Sequence, residues 1–435
     1  MTPLDDVREH VRSRLPQARP VAVPFHAAGG LVLAEDVVAG ENVPPFDNTA
    51  VDGYAVRAAD TENAPCELRV TGEMAAGAGH VETVGPGCAV RIMTGAPLPK
   101  GCDAIVMVED TERTGGPGDD RVRVMWPVAP GANIRRAGSD VSAGDTPLRS
   151  GTYVTAAVQA VLSTVNARTV RVWPRPRVGV LSTGDELVED GSPLQPGQIR
   201  ESNRTMLLRL VTEAGAEAVD LGIIRDDEAL LESALRTSVR DLDAIVTSGG
   251  VSMGDYDVVK AVLSRIADMS WFQIAMKPAK PFAFGMLRAG SGAGDSDDQG
   301  AGENTNARNR DSASIPVFGL PGNPVSSLVS FELIARPALE VMMHRTESMT
   351  GRRRVRGVID YAVTRGSDGK VHFDRCIASF ADDGRLHVRR VDAQGSHQLA
   401  STALANALVE IPDGGGIAEG SEVWVTLLGE GVAQW

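Results

Sequence analysis

Four cysteines in 435 residues (Cys66, Cys88, Cys102 and Cys376) stand far apart, with no CxxC pair among them. That scarcity argues against a disulfide framework and a structural zinc site, and it suits reduced thiols in a cytoplasm. Aromatic residues make up only 4% of the chain, so aliphatic side chains must fill the cores. No uninterrupted apolar run reaches the roughly 18 residues a membrane span needs. The opening stretch MTPLDDVREHVRSRLPQARP carries charges where a leader peptide would be apolar, so the sequence predicts no export and no membrane contact. Basic charge is in deficit as well. Lys and Arg number 43 against 57 Asp and Glu, a formal net charge of −14, which argues against a chain-wide role in binding nucleic acid or an anionic bilayer. No Walker GxxxxGK[ST] loop occurs, and no GxGxxG opens a βαβ unit. A P-loop ATPase and a NAD enzyme are therefore disfavoured. The 7 histidines show no HExxH spacing, and no Ser-His-Asp or Cys-His arrangement is readable.

What is present is a chain long enough for about three domains. Its 47 glycines and 25 prolines predict many turns and short strands. Leu4, Val7, Val11 and Leu15 recur at intervals of three and four, which predicts an amphipathic helix over 3–15. Between about 66 and 128 the pattern becomes β-branched runs broken by Gly and Pro (ELRVTG, CAVRIMTG, DAIVMVED, RVRVMW), the mark of an all-β module. TAAVQAVLSTVN at 155–166 reads as one helix, and WPRPR at 173–177 as a boundary. From 177 onward strands and helices alternate. Ser202 is expected to cap the helix that Gly215 stops, and Asn323 with Pro324 to open a later one. Alternation with continuous apolar strands predicts a mostly parallel sheet buried on both faces. Residues 352–435 return to short strands with Gly turns, which predicts a C-terminal β-barrel. The segment 288–314, rich in Gly, Ser, Asp and Asn, buries too little to order itself and is expected to be a disordered surface insertion.

Three polar loops follow strands of the α/β region: STGDEL at 182–187, SGGVSMGDYD at 248–257 and LPGNPVSS at 320–327. Open parallel sheets bind ligands outside the carboxyl ends of their strands. Glycines there admit close backbone approach, and exposed N–H groups favour phosphate or another oxyanion. One such turn is ordinary, whereas three at one sheet edge are a signal. In MKPAKPF, Pro278 and Pro281 stiffen the chain around Lys277 and Lys280, so two ammonium groups should project from an extended loop. A solvated surface pair is the alternative. Carboxylates recur in pairs: Asp185 and Glu186, Asp226 and Asp227, Asp255 and Asp257. Lysines beside carboxylates suit a phosphate–divalent metal site, in which Mg²⁺ takes one or two carboxylates plus ligand oxygens. Asp226 and Asp227 could equally be helix caps. In the β module, Asp52-Gly53 and Thr94-Gly95 read as turns.

FDNTAVDGYA, AVRIMTGAPLPKGCDAIVMVED, STGDEL, SGGVSMGDYD, KPAKPFAFG and FGLPGNPVSS occur in this order. Together they make the chain, from about residue 3 to residue 430, resemble the MoeA and gephyrin E-domain family of molybdenum-insertion enzymes. The resemblance implies a multidomain α/β plus β architecture. A discontinuous helical linker domain would use 1–45 and 140–175, and a β-rich domain 46–139. A molybdopterin-binding α/β domain would span 176–345, and a β-barrel 346–435. It also implies transfer of molybdenum from molybdate to adenylyl-molybdopterin with release of AMP and with Mg²⁺ as cofactor. The implied partners are a second copy in a homodimer with a shared active site, a molybdopterin-adenylylating protein upstream and molybdoenzyme maturation factors downstream. A gephyrin-like scaffold and a molybdopterin adenylyltransferase are the rival readings. The intact charged positions argue against the first, and the domains flanking the α/β unit argue against the second.

Carried over residue by residue, the resemblance assigns catalytic roles to Asp52, Thr94, Asp140, Glu186, Asp226 and Asp257. It places Asp226 and Asp257 on the metal. Substrate binding falls to Thr183, Gly184 and Asp185, to Ser202 and Asn203, and to Ser248, Gly249, Gly250 and Ser252. Pro321, Gly322, Asn323 and Ser326 of the PGNPVS loop join them. Molybdate would meet Lys277, Lys280, Arg375 and Ser396. Thr49 and Val51 stand where the family commonly has Ser and Met.

Overall fold

The computed structural model describes residues 1–77, 82–116, 118–251, 258–288 and 314–429. The expected insertion at 288–314 falls almost wholly outside them, as do Ser252 and Asp257. By internal packing the chain forms two units: residues 1–21 with 173–435, and residues 22–172.

The predicted N-terminal helix is α1, Leu4–Arg12. Val7 and Val11 are buried in the core of the α/β region, so this helix packs with the larger unit. The 22–172 unit is built on a six-stranded sheet. Its strands are β1 (Gly53–Val56), β2 (Cys66–Met74), β3 (Cys88–Ile92), β4 (Ala104–Met107), β5 (Thr111–Thr114) and β6 (Arg121–Val124), in the order β4-β1-β3-β2-β6-β5. The helix α2, Ala156–Thr164, starts where Thr155 accepts a hydrogen bond from the Val158 N–H. Asp52-Gly53 is not the turn its composition suggests, because Gly53 begins β1. A Cβ there would lie 2.0 Å from the Val106 carbonyl oxygen of β4. The glycine thus serves close strand approach.

The larger unit alternates as expected: β7 (Arg177–Thr183), α3 (Asn203–Glu213), β8 (Glu217–Ile224), α4 (Glu228–Ser238), β9 (Ala244–Ser248) and α5 (Val258–Ile266). Then come β10 (Ala267–Gln273), the two-residue β11 (Met276–Lys277), β12 (Pro281–Arg288) and β13 (Ser314–Leu320). The sheet order is β8-β7-β9-β13-β12-β10. The first four strands run parallel, and β12 and β10 complete the sheet antiparallel. Val178, Val180, Val246 and Phe318 of these strands have no solvent exposure. Aliphatic packing is supplemented by Phe282, Phe284 and Phe318.

The stretch expected to be one helix after Asn323 is α6 (Pro324–Ser330), a π turn over Phe331–Ala335, and α7 (Arg336–Met342). Pro337 has no N–H to offer the carbonyl one turn back. That carbonyl, Leu333 O, instead accepts from Arg8 Nε of α1 at 2.9 Å. Around α7 lies a buried ion cluster. Glu332 accepts from Arg336 Nε at 2.6 Å and from Arg352 Nε at 2.9 Å. Arg352 also reaches Glu213 of α3 at 3.0 Å, and Glu340 accepts from Arg345 at 3.2 Å. Burial pushes the Glu340 carboxyl above its ordinary range in spite of these partners.

The C-terminal strands are β14 (Arg354–Ile359), β15 (Val371–Phe380), β16 (Leu386–Arg390), β17 (Ala407–Ile411) and β18 (Glu422–Leu427). They follow the order β15-β16-β14-β18-β17, and β15 also pairs with β17. The sheet therefore closes on itself, and the predicted barrel is present. One strand was not expected. β11 pairs in parallel with β15, with Met276 opposite Val371 and Lys277 opposite His372. The segment before Lys280 thus belongs to the edge of the barrel, while the segment after it enters the α/β sheet.

Candidate active site

The order β8-β7-β9 means that the chain leaves β7 first to one side and then to the other. Loops leaving neighbouring strands in opposite directions open a crevice at the carboxyl edge. Thr183 ends β7, and Gly184, Asp185 and Glu186 follow it. Ser248 ends β9 with its side chain buried, and Gly249 and Gly250 follow with φ of 98° and 74°. A Cβ on Gly250 would sit 2.1 Å from the Val259 side chain, so no other residue fits this turn.

Asn203 ties two of the three loops together. Its Nδ2 donates to Ser248 Oγ and to the Gly322 carbonyl, both at 2.7 Å. Its Oδ1 and the neighbouring Thr247 hydroxyl are buried without a partner among the described residues. Such groups are costly to leave unpaired, and here they lie among the loops of the crevice. Ser202 precedes α3 as expected but makes no capping bond. The Glu201 carboxylate accepts from the Arg204 N–H at 2.6 Å and from Ser182 Oγ at 3.0 Å.

The two aspartates at the start of α4 separate in role. Asp227 is the cap, accepting from the Leu230 N–H at 2.9 Å. The Asp226 N–H donates to Asp185 Oδ1 at 3.4 Å, which brings two exposed acidic residues from the ends of β7 and β8 together. Among the described residues no group of three His, Cys, Asp or Glu side chains converges to hold a metal. Asp185 and Asp226 could offer the one or two carboxylates that Mg²⁺ takes when ligand oxygens complete its shell. The donor set therefore fits a phosphate-bridged cation.

A cavity of about 550 Å³ opens beside the PGNPVS loop, where β11 meets the barrel. Lys277, Lys280, Ser326, Arg390, Gln394 and Ser396 are among the residues that line it. Both lysines are exposed, and among the described residues neither has a carboxylate within ion-pair distance. Asn323 Nδ2 donates to Ser396 Oγ at 3.2 Å, and the Val325 N–H donates to the Ser396 carbonyl at 3.1 Å. The loop that meets Asn203 in the crevice thereby also forms a wall of the cavity. Pro321 is buried within that loop.

Arg375 stands on β15 with no exposed surface. Its Nη2 donates to the Ala393 carbonyl at 2.8 Å and to the Gly395 carbonyl at 3.3 Å, which braces the turn carrying Ser396. Its Nε and Nη1 are buried with no acceptor among the described residues. Burial pulls this guanidinium below its ordinary pKa. An oxyanion reaching those donors would relieve the cost of leaving them unpaired.

In the 22–172 unit, Asp52 and Thr94 are in contact. Asp52 Oδ1 accepts from both the Thr94 N–H and the Thr94 hydroxyl at 2.7 Å. These bonds hold the Asp52 carboxyl below the usual carboxylate range. The Thr94-Gly95 turn is present as expected, with Gly95 at φ 81°. Asp140 is exposed, and its N–H donates to the Val43 carbonyl. No hydrogen bond among the described residues joins it to Asp52 or Thr94. Sequence reasoning passed over Arg390 and Gln394. RLHVRRV looks like an ordinary solvated strand, and only the position of Gln394 two residues before Ser396 gave a signal.

A mostly parallel α/β sheet with a loop crevice, beside a closed barrel, places the chain among multidomain α/β-plus-barrel proteins. Comparison with known proteins makes this specific. Residues 2–166 match the model described as "MoeA N-terminal region (domain I and II)", and 179–341 match "Probable molybdopterin binding domain". Residues 364–428 match "MoeA C-terminal region (domain IV)". The chain is 40% identical over 420 residues to molybdopterin molybdenumtransferase 2 of Mycobacterium tuberculosis, covering 94% of this chain and 95% of that protein. It is 33% identical to the molybdopterin molybdenumtransferase of Haemophilus influenzae, covering 98% of each. A crystal structure of the molybdopterin biosynthesis MoeA protein from Pyrococcus horikoshii superposes with a TM-score of 0.76 at 30% identity, over 99% of both chains. The chain belongs to the MoeA family of molybdopterin molybdenumtransferases.

Proposed function

We propose that this chain is a molybdopterin molybdenumtransferase of molybdenum cofactor biosynthesis, taking adenylyl-molybdopterin and molybdate to molybdenum cofactor and AMP. One observation carries the reading. The PGNPVS loop is shared between two sites, with the Gly322 carbonyl bonded to Asn203 in the crevice and Asn323 bonded to Ser396 at the cavity. A crevice suited to a phosphorylated ligand thus adjoins a cavity suited to an oxyanion. That is what a transfer from one to the other requires.

In this reading Thr183, Gly184, Ser248, Gly249 and Gly250 line the crevice, and its glycines admit the phosphate-bearing substrate close to the backbone. Lys277, Lys280 and Ser396 hold molybdate, with Arg375 supplying its unpaired donors. Asp185 and Asp226 would hold Mg²⁺, with Glu186 beside them, and Asp257 belongs to the same proposed set. The cation would neutralise charge as the phosphoanhydride opens. No side-chain nucleophile is needed: the dithiolene sulfurs displace molybdate oxygen, which leaves as water, and water or a molybdate oxygen attacks the phosphoanhydride to release AMP. Asp52, Thr94 and Asp140 are carried in the same reading, as are the homodimer and the cytoplasmic location. No helix among the described residues is long and apolar enough to cross a membrane.

The test is AMP release from adenylyl-molybdopterin. It should depend on both molybdate and Mg²⁺ and should need no ATP. Release that ignores molybdate, or consumption of ATP, would sink the proposal.

A further inference from the structure

Side chains alternate along β15, so His372, Asp374, Cys376 and Ala378 share one face while Phe373 and Arg375 share the other. Cys376 and Ala378 belong to the barrel core, with Val388 of β16 on the same side. Asp374 and His372 continue that column toward the barrel mouth, and Arg390 lies opposite Cys376 in the register. Arg390 and Asp374 are therefore diagonal neighbours across the strand pair. Their side chains meet at 3.2 Å.

The pair is asymmetric. The Asp374 side chain is only 12% exposed, whereas that of Arg390 is 44% exposed and lines the cavity with Lys277 and Lys280. Asp374 is itself held, because Tyr361 Oη donates to its Oδ2 at 3.2 Å. Burial pushes the Tyr361 phenol far above its ordinary range, so this donor keeps its proton. The Arg390 guanidinium also lies over the Tyr361 ring, 5.8 Å from its centre. A carboxylate and an aromatic face thus aim a planar fork into a cavity whose other cations are flexible lysines. Arginine presents paired donors that match two oxygens of one oxyanion, which a lysine cannot do.

We infer that Arg390 is a further oxyanion-contacting residue of this cavity, and that Asp374 and Tyr361 act through it as positioning residues. The inference rests on the reading of the cavity as the molybdate site, and the test separates the two.

The measurement is calorimetric titration of the full-length chain with molybdate alone, with thermal melting of each variant alongside. Arg390→Ala should weaken molybdate about tenfold, the size of one charge-assisted contact. Arg390→Lys should recover only part of that loss. Asp374→Asn should weaken binding by a smaller factor and add nothing in the Arg390→Ala background, as expected for a group that acts through Arg390. Arg390 is half-exposed, so its variants should melt close to the parent and remain interpretable even where Asp374→Asn does not fold. Lys277→Ala and Lys280→Ala serve as the internal reference. If the lysine variants lose molybdate while Arg390→Ala binds within twofold of the parent, the inference is overturned and the site stands. If neither lysine variant changes binding, the reading of the cavity itself falls. Additive losses in the Asp374→Asn, Arg390→Ala double variant would remove the positioning role.

Discussion

Around α7, Glu332, Arg336 and Glu340 are 2–3% exposed, and each has an opposite charge close by. At the cavity, Lys277 and Lys280 stand in solvent with no described carboxylate against them. Both groups of charges belong to one unit, and their energetics are opposite. A buried ion costs several kcal/mol of desolvation, which the partners around Glu332, Arg336 and Glu340 offset. An exposed lysine is cheap to hold unpaired, and its charge remains available to a ligand. Full pairing marks charges that serve the fold. Missing partners in a walled space mark charges kept for something that arrives later.

The largest effect expected is the one that breaks this comparison outright. Glu332→Ala leaves Arg336 and Arg352 without their shared acceptor and should cost about 3–5 kcal/mol of stability. In urea unfolding the Lys277→Ala, Lys280→Ala double variant should lose less than about 0.5 kcal/mol, while its molybdate-dependent AMP release falls at least tenfold. Equal losses of stability in the two variants would erase the distinction.

Asn203 sharpens the comparison from between the extremes, being partly buried and bonded on both sides. Asn203→Ala should cost about 1–3 kcal/mol, because the buried Ser248 hydroxyl loses its partner. It should also raise the KM for adenylyl-molybdopterin while leaving molybdate affinity within twofold. An unchanged KM would show that these two loops do not need this tie.

The smallest effect belongs to a surface pair. His387 Nδ1 lies 2.6 Å from Asp360, and Asp383 approaches its other nitrogen at 3.3 Å. Asp360 first, and then Asp383, raise the His387 pKa above the ordinary 6.5. A raised folded-state pKa stabilises fully below the unfolded value and is lost as pH climbs through the folded one. His387→Gln should therefore melt slightly below the parent at pH 6, and the gap should close above neutrality. A gap that widens with rising pH would contradict the assignment.

Much of the fold was legible, because its signals are local. Periodicity marks α1, α2 and the alternation after 177, and glycine-rich strand ends mark the crevice. The misses depend on distant or subtle competition. Ser202 looked like a cap, yet Glu201 beside it has the longer reach to the Arg204 N–H. The π turn before Pro337 depends on Arg8, more than 300 residues away in the chain. β11 has two residues, too few for any pattern, and its pairing partner lies in the barrel. Motifs marked Lys277, Lys280 and Ser396, which the structure places on one cavity, because each sits at a strand end or in a stiff loop. Arg390 stayed hidden for the opposite reason, since an arginine near a strand end reads as solvent-facing until closure of the barrel brings it to a cavity.

The pairing of β11 with β15 also has a mechanical meaning. Ala275 accepts from the Val371 N–H at 2.9 Å, and six residues later Pro281 has entered the α/β sheet. The segment bearing both lysines is therefore a seam sewn into two fabrics. Any tug that lifts the barrel away pulls on that seam as well as on the Asn323–Ser396 contact, so the spacing between Lys277 and Ser396 is tied to the joint itself. Linker changes far from the cavity would be felt there as a change of gauge.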